Sequence, residues 1–294
     1  MSKLTGIFPP IPTSFVNGEL AVDKLEHNIT RWNKTGLRGY VVMGSNGESV
    51  FLTRDEKLLL TETVKKYASD DKLIIAGTGS ESIKETISLT NEVAELGAGY
   101  ALVVTPSYYK SEMKHDSFIT YFTAVADAVK IPVLLYNVPK FTGVDIQAET
   151  VAELSEHSNI AGIKNSTENL RQLIEFVAGT PDDFAVIAGT ASVLYNGLTS
   201  GASGGILALA NIALDECVRI QELIEAGKLN EALKLQQRMI PVNKAVTSQY
   251  GVAGLKAAMD MLGYFGGEPR KPLLPLGESE KKSLRVILEK SDMI

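Results

Sequence analysis

Short runs of β-branched and apolar residues alternate along this chain with longer segments whose apolar positions recur at helical spacing. That is the pattern of repeated β–α units built on a parallel sheet. The runs predict strands at residues 6–8, 39–43, 73–76, 100–104, 133–136, 160–164, 185–188 and 205–209. Residues 23–35, 53–68, 82–96 and 116–129 between them carry the helical period, with Thr, Ser or Asp as caps in their first turns. Eight such units in about 225 residues is the size of a closed (β/α)8 TIM barrel, whereas a doubly wound sheet has fewer strands. Periodicity alone does not separate these architectures, so the strand count is what favours the barrel.

From about residue 225 the texture changes. Residues 230–240 and 252–262 have the helical period, and no further strand-like run follows. The expected division is a barrel, residues 1–224, carrying the active site, and a helical C-terminal region, residues 225–294, packed on it. A simpler alternative is that these helices only seal the barrel and that the Gly- and Pro-rich residues 263–275 form a surface loop.

Composition narrows the function class. Of 294 residues 45% are hydrophobic and 22% charged, the balance of a folded globular chain rather than a disordered or coiled-coil one. The formal net charge of −6 argues against nucleic acid and anionic membranes as partners, while leaving room for a local pocket that binds a small anion. The single cysteine, Cys217, has no disulfide or metal-binding partner of its own kind, which fits a reducing compartment. Met1-Ser2-Lys3-Leu4-Thr5-Gly6-Ile7 lacks the apolar run of a secretory signal, and no stretch reaches the roughly 18 apolar residues of a membrane span. A cytoplasmic location is the expectation.

Several motifs fall away on context. Gly201-Ala202-Ser203-Gly204-Gly205 spells the G-x-S-x-G string of serine hydrolases, but that nucleophile elbow needs a strand before it and a helix after it. Here the order is reversed, so the glycines are read as a tight helix-to-strand turn. Neither the Walker string nor a complete G-x-G-x-x-G occurs, and Gly77-Thr78-Gly79 lacks the third glycine, which removes the support for a nucleotide cofactor. His27, His115 and His157 are scattered without H-E-x-x-H spacing and are read as solvated residues, so no metal is expected.

The chemistry-bearing residues stand where a barrel places them, at the C-terminal ends of strands. Lys164 ends the apolar run Ile160-Ala161-Gly162-Ile163-Lys164, a position from which an amine can form a Schiff base, although a lysine there can equally be solvated. Tyr136 ends the preceding strand, so its phenol is in reach of a substrate carried on Lys164; packing at the rim with a wetted hydroxyl is the other reading. Gly44-Ser45-Asn46-Gly47-Glu48 follows the second strand and exposes backbone N–H groups suited to a carboxylate, though any tight turn uses these residues.

Taken together, the chain resembles the dihydrodipicolinate synthase and N-acetylneuraminate lyase family of class I pyruvate aldolases. The resemblance runs nearly end to end through ordered motifs: Gly6-Ile7 with Pro12-Thr13-Ser14-Phe15, Gly44-Ser45-Asn46-Gly47-Glu48, Val104-Thr105-Pro106-Ser107-Tyr108-Tyr109, Tyr136-Asn137-Val138-Pro139 with Thr142-Gly143, and Gly162-Ile163-Lys164-Asn165-Ser166. It implies a TIM barrel with a helical C-terminal region, Lys164 as the imine-forming lysine and Tyr136 as the acid/base. By the same resemblance Ser45 and Tyr108 complete a proton relay in which Tyr108 comes from a neighbouring subunit, and Asn46 with nearby amides holds the 2-oxo acid carboxylate. Gly189, Ile206 and Ser166 match substrate-pocket positions. An intersubunit tyrosine implies at least a dimer, and the family is commonly a homotetramer. The substrate's own covalent imine on Lys164 would be the electron sink, with no cofactor.

Departures from the family bear on the second substrate. Phe141 stands where the synthases have an arginine for the carboxylate of aspartate semialdehyde, and Lys140 beside it should point elsewhere. Sialic acid lyases carry an acidic pair after the seventh strand and a serine after the eighth; this chain has Thr190-Ala191-Ser192 and Ala208. The stronger resemblance is to 4-hydroxy-2-oxoglutarate aldolases, supported by Leu235-Gln236-Gln237-Arg238, Asn243-Lys244-Ala245-Val246-Thr247, Gly254-Leu255-Lys256, Met259-Asp260 and Gly263-Tyr264-Phe265-Gly266-Gly267. Cleavage of 4-hydroxy-2-oxoglutarate to pyruvate and glyoxylate is therefore the expectation. The synthase, a 2-keto-3-deoxy sugar acid aldolase or dehydratase and a sialic acid lyase are alternatives with the same imine. A barrel that has lost catalysis and acts as a small-molecule sensor is the alternative of a different class, and the joint presence of Lys164, Tyr136, Ser45 and Tyr108 opposes it.

Overall fold

The computed structural model describes residues 3–294; Met1 and Ser2, the start of the segment read above for a secretory signal, lie outside it. Eight parallel strands form one sheet: β1 (Gly6–Phe8), β2 (Gly39–Val42), β3 (Leu73–Gly77), β4 (Tyr100–Val104), β5 (Val133–Asn137), β6 (Ile160–Asn165), β7 (Ala185–Ala188) and β8 (Gly204–Ile206). Each pairs with the strands before and after it in sequence, and β8 pairs back to β1. The seam between β1 and β2 is made by the Arg38 N–H on Ile7 O, the Val41 N–H on Pro9 O and the Ile11 N–H on Val41 O. Pro9 and Pro10 donate nothing, so this edge is carried by carbonyls until Ile11 restores a donor. The result is a nearly closed TIM barrel.

Helices α1 (Val22–Trp32), α2 (Arg54–Tyr67), α3 (Ile83–Glu95), α4 (His115–Ala128), α5 (Ala148–Ser155), α6 (Leu170–Gly179), α7 (Leu194–Thr199) and α8 (Leu214–Glu225) follow the strands in turn. Their sequences say why. On α1, Leu25, Ile29 and Trp32 recur on one face and are buried. Thr53 and Glu56 form a reciprocal capping box at the start of α2, a contribution of about 1 kcal/mol. Inside the barrel, Phe8, Val41, Ile75, Leu102, Leu134, Ile187 and Ile206 pack into an apolar plug. The G-x-S-x-G string lies between α7 and β8, and an added Cβ on Gly204 would stand 2.1 Å from Gly6 O. It is a close strand–strand approach, not a nucleophile elbow.

Beyond α8 come α9 (Leu229–Lys244), a π-helical turn (Ala245–Gln249), α10 (Gly251–Met261) and α11 (Glu278–Lys290). The last of these was not anticipated from the sequence. Met239, Val242, Leu255, Met259, Leu284 and Leu288 share one core with Trp32 of α1 and Leu214 of α8. Residues 263–275 are irregular, but they are more than a surface loop. Asn28 brackets Phe265, donating to its carbonyl and accepting its N–H, each at 2.8 Å. Arg270 reaches Phe51 O and Glu56 at 2.8 Å and stacks on Phe15, its guanidinium carbon 4.3 Å from the ring centroid. No helix among the described residues is long and apolar enough to cross a membrane.

The Arg270 guanidinium bonded to Glu56 holds that carboxyl down at about 2, against its ordinary 4.5. A carboxyl depressed in the folded state binds fewer protons there than when unfolded, so its stabilising effect is complete above about 4.5 and is lost as pH falls toward about 2. The advantage of the native protein over Glu56→Gln in thermal unfolding should therefore shrink across that window. A constant difference would exclude Glu56 as a source of acid sensitivity.

Candidate active site

Strand register brings the two central side chains together. Tyr136 and Lys164 are direct partners across β5 and β6, and both are nearly buried, at 6% and 3% exposure. Lys164 Nζ lies 4.2 Å from the centroid of the Tyr136 ring. On the other side, the Tyr136 hydroxyl is 3.2 Å from Ser45 Oγ, with either group able to donate. An amine, a phenol and an alcohol thus stand in sequence, drawn from β6, β5 and the turn after β2.

The residues next along each strand point the opposite way. Asn137 and Asn165 are again register partners, fully buried, and Asn137 Nδ2 donates to Asn165 Oδ1 at 3.0 Å and Asp145 Oδ1 at 2.7 Å. Gln172 of α6 accepts from Asn165 and donates to Asp145. This amide network fixes the ends of β5 and β6 from behind, and with them the relative placing of Tyr136 and Lys164.

The turn carrying Ser45 and Asn46 is a 3₁₀ turn (Ser45–Gly47) set between two non-glycine residues with left-handed backbone, Met43 at φ 58 and Glu48 at φ 56. Such residues are costly and persist where surroundings impose them. Thr13 Oγ1 donates to Gly47 O at 2.6 Å from one side. From the other, the buried Glu48 carboxylate lies 2.6 Å from Lys256 Nζ.

A cavity of about 430 Å³ opens at this rim, lined by Ser45, Lys57, Glu81, Thr105, Tyr136 and Phe141 among others. Lys164, buried behind Tyr136, and the half-buried Asn46 and Ser166 are not on its wall, and Ile206 is fully buried in the apolar plug with Tyr136. Gly189 N–H donates to Asn165 O at 2.8 Å, and Ser166 Oγ donates to Gly189 O at 3.4 Å. Tyr108 stands apart: it is 77% exposed, edge-on to Tyr109, in a loop whose Ser107 and Tyr108 N–H groups are held by Glu81. It lines a second cavity, and its hydroxyl has no hydrogen-bond partner among the described residues. Phe141 is 64% exposed, while Lys140 turns toward Thr247 O of the π-helical turn at 3.4 Å. Thr190 caps the turn after β7, where Ser192 Oγ accepts from Asn243 of α9.

Sequence reasoning passed over Lys57 and Thr105. Lys57 sits on α2 with its amine held below the usual lysine range by burial, a shift opposed by Glu85 and reinforced by Arg54. Nothing in its spacing distinguishes it from a solvated helix lysine. Thr105 follows β4 and is 2% exposed; it falls within the Val104–Tyr109 motif and at a strand end, but was given no role of its own. The three histidines lie on or beside outer helices with local partners, such as Glu153 for His115 at 3.2 Å and Asp127 for His157 at 3.1 Å.

Comparison with known proteins bears on the fold and the family. Residues 3–291 match the dihydrodipicolinate synthetase family. A 4-hydroxy-tetrahydrodipicolinate synthase of Methanothrix thermoacetophila is 36% identical, over 97% of this chain and 96% of its own. A probable mitochondrial 4-hydroxy-2-oxoglutarate aldolase of Emericella nidulans is 34% identical, over 97% of this chain and 94% of its own. Among solved structures, a prophage protein of the dihydrodipicolinic acid synthase family from E. coli, crystallised with pyruvate, superposes with a TM-score of 0.93 at 28% identity, covering 99% of each chain. The barrel and these relatives make it a TIM-barrel lyase of the aldolase kind. The chain belongs to the dihydrodipicolinate synthetase family.

A methyl at Gly189 has no room, since its Cβ would stand 2.1 Å from Ser166 Oγ and 2.7 Å from Asn165 O. Ser166 can rotate but the Asn165 carbonyl cannot, so Gly189→Ala should cost about 1–3 kcal/mol of stability in denaturant unfolding. An unchanged midpoint would show that the β6–β7 rim is looser than this packing.

Proposed function

We propose that this protein cleaves 4-hydroxy-2-oxoglutarate to pyruvate and glyoxylate through an imine on Lys164. The observation that carries the reading is the sequence of groups Lys164, Tyr136 and Ser45 at one rim, the amine 4.2 Å from the phenol ring and the phenol 3.2 Å from the serine. The neutral amine adds to the C2 carbonyl, and water leaves as the imine forms. Tyr136 accepts the C4 hydroxyl proton while its own proton passes to Ser45 and the serine's proton passes on through Tyr108 of a second copy to solvent; the C3–C4 bond breaks, glyoxylate departs, and the electron pair enters the protonated imine as an enamine. Protonation at C3 and hydrolysis then release pyruvate. The substrate is its own electron sink, so the scheme requires no cofactor or metal.

In this reading Asn46 and the amides of the Ser45–Gly47 turn hold the C1 carboxylate, which fixes C2 over Lys164 and supplies the advantage of proximity. Gly189, Ser166 and Ile206 shape the pocket around it. Tyr108, exposed beside Tyr109, completes the relay from a second copy of the chain, within a dimer or a tetramer built from dimers.

The choice of aldehyde rests on Phe141, which offers no cation to the carboxylate of aspartate semialdehyde, and on likeness to the Emericella nidulans protein. A second reading has at least equal support. The Methanothrix thermoacetophila relative is named a synthase, and Lys57 gives the cavity wall a cation that could stand in for the missing arginine. Condensation of pyruvate with aspartate semialdehyde would use the same imine. Thr190, Ser192 and Ala208 offer less to a polyol, which places the sugar-acid readings behind both.

Pyruvate with borohydride should add one covalent mass to the native chain and none to Lys164→Ala; an adduct on the alanine variant would move the imine to another lysine. Tyr136→Phe should still trap pyruvate but lose roughly 10²-fold or more in turnover. A pyruvate-release assay with 4-hydroxy-2-oxoglutarate, run beside the condensation with aspartate semialdehyde, decides between the two substrates by which is turned over.

A further inference from the structure

The Ser45–Gly47 turn is followed by one member of a buried charge pair that lies off the cavity wall. Glu48 directly follows the turn, and its carboxylate is absent from the cavity wall. Instead it meets Lys256 Nζ of α10 at 2.6 Å, the two side chains being 1% and 0% exposed. The Arg270 N–H donates to Glu48 Oε2 at 2.7 Å, and Lys256 donates also to Glu268 O at 3.1 Å. Phe15 lies under both cations, 4.7 Å from the Lys256 nitrogen and 4.3 Å from the Arg270 guanidinium carbon.

This arrangement is directional. A lysine sealed from water must keep an anion, and Glu48 is the carboxylate placed against it. Burial holds the Lys256 amine below the usual lysine range, and Glu48 offsets part of that effect. Glu48 is thereby pinned in a left-handed conformation, at φ 56, that a glutamate does not choose by itself. Its backbone N–H closes the turn on Ser45 O at 3.1 Å. Displacement of the Glu48 side chain therefore displaces the peptide groups beside Ser45 and Asn46.

We propose that Glu48 and Lys256 are positioning residues, through which helix α10 sets where the carboxylate-binding turn stands relative to Tyr136 and Lys164. The proposal rests on the imine reading above. It makes the C-terminal region part of the active-site machinery, although none of its residues lines the cavity.

The test compares the full-length native chain with Glu48→Gln, Lys256→Met and Lys256→Arg. For each, thermal unfolding is recorded, and the pyruvate concentration that half-saturates borohydride-trapped adduct is read by intact mass. Glu48→Gln keeps an acceptor for the Arg270 N–H and is the variant expected to fold even if Lys256→Met does not. Both should raise the half-saturating concentration about tenfold to hundredfold, the scale of an ångström misplacement, while excess pyruvate still loads one adduct per chain because Lys164 is intact. Lys256→Arg should recover most of the loss. Variants that unfold at lower temperature yet keep the native half-saturation would overturn the proposal, leaving the pair a stability element alone. A native chain that traps no pyruvate would instead remove the imine reading, and this inference with it.

Discussion

Parallel closure is the constraint on which everything else rests. Once β8 pairs back to β1 and the carbonyls of Ile7 and Pro9 close the seam to β2, all eight strands end on one rim. A side chain at a strand end then has its neighbours chosen for it by register rather than by its own preferences. Tyr136 meets Lys164 because β5 and β6 are in step at that level, and the Asn137–Asn165 pair one residue on keeps them in step. A slip of one residue would turn Tyr136 and Lys164 outward and both amides inward.

Much of this was legible in the chain. Strands buried on both faces read as continuous apolar runs, and such runs locate all eight. Their ends are less legible for local reasons. β2 stops at Val42 because Met43 takes a positive φ, and β8 stops at Ile206 because a 3₁₀ turn begins at Ala208. Helix α11 was missed because its sequence is dominated by charge, with only Leu284 and Leu288 fully buried against the core.

The site was legible where a residue type is out of keeping with its run, as Lys164 is at the end of an apolar strand. It was illegible where meaning depends on a distant partner. Glu48 reads as the end of a tight turn and Lys256 as a helix lysine; only the fold makes them a pair, and removing one member of such a buried pair typically costs about 3–5 kcal/mol. Lys57 is hidden for the same reason, since helical spacing does not reveal which lysine faces a cavity. Side chains at strand ends are thus spelled out by the sequence, and those set by a distant partner acquire their place only in three dimensions.

The corner between α9 and α10 has a consequence for how this lineage can vary. Gln236 and Asn243, before the corner, brace the loop after β7 through Ala191 O and Ser192 Oγ. Lys256, after it, braces the turn following β2. A π-helical turn followed by left-handed Gly251 lets one stretch of chain serve both loops. Adding or deleting a single residue there rotates everything downstream by about 100° about the helix axis. Insertions that would pass unnoticed in an outer loop would here exchange the face that braces the rim for one that does not. The corner is a point of fixed length in a chain whose loops otherwise have room to grow.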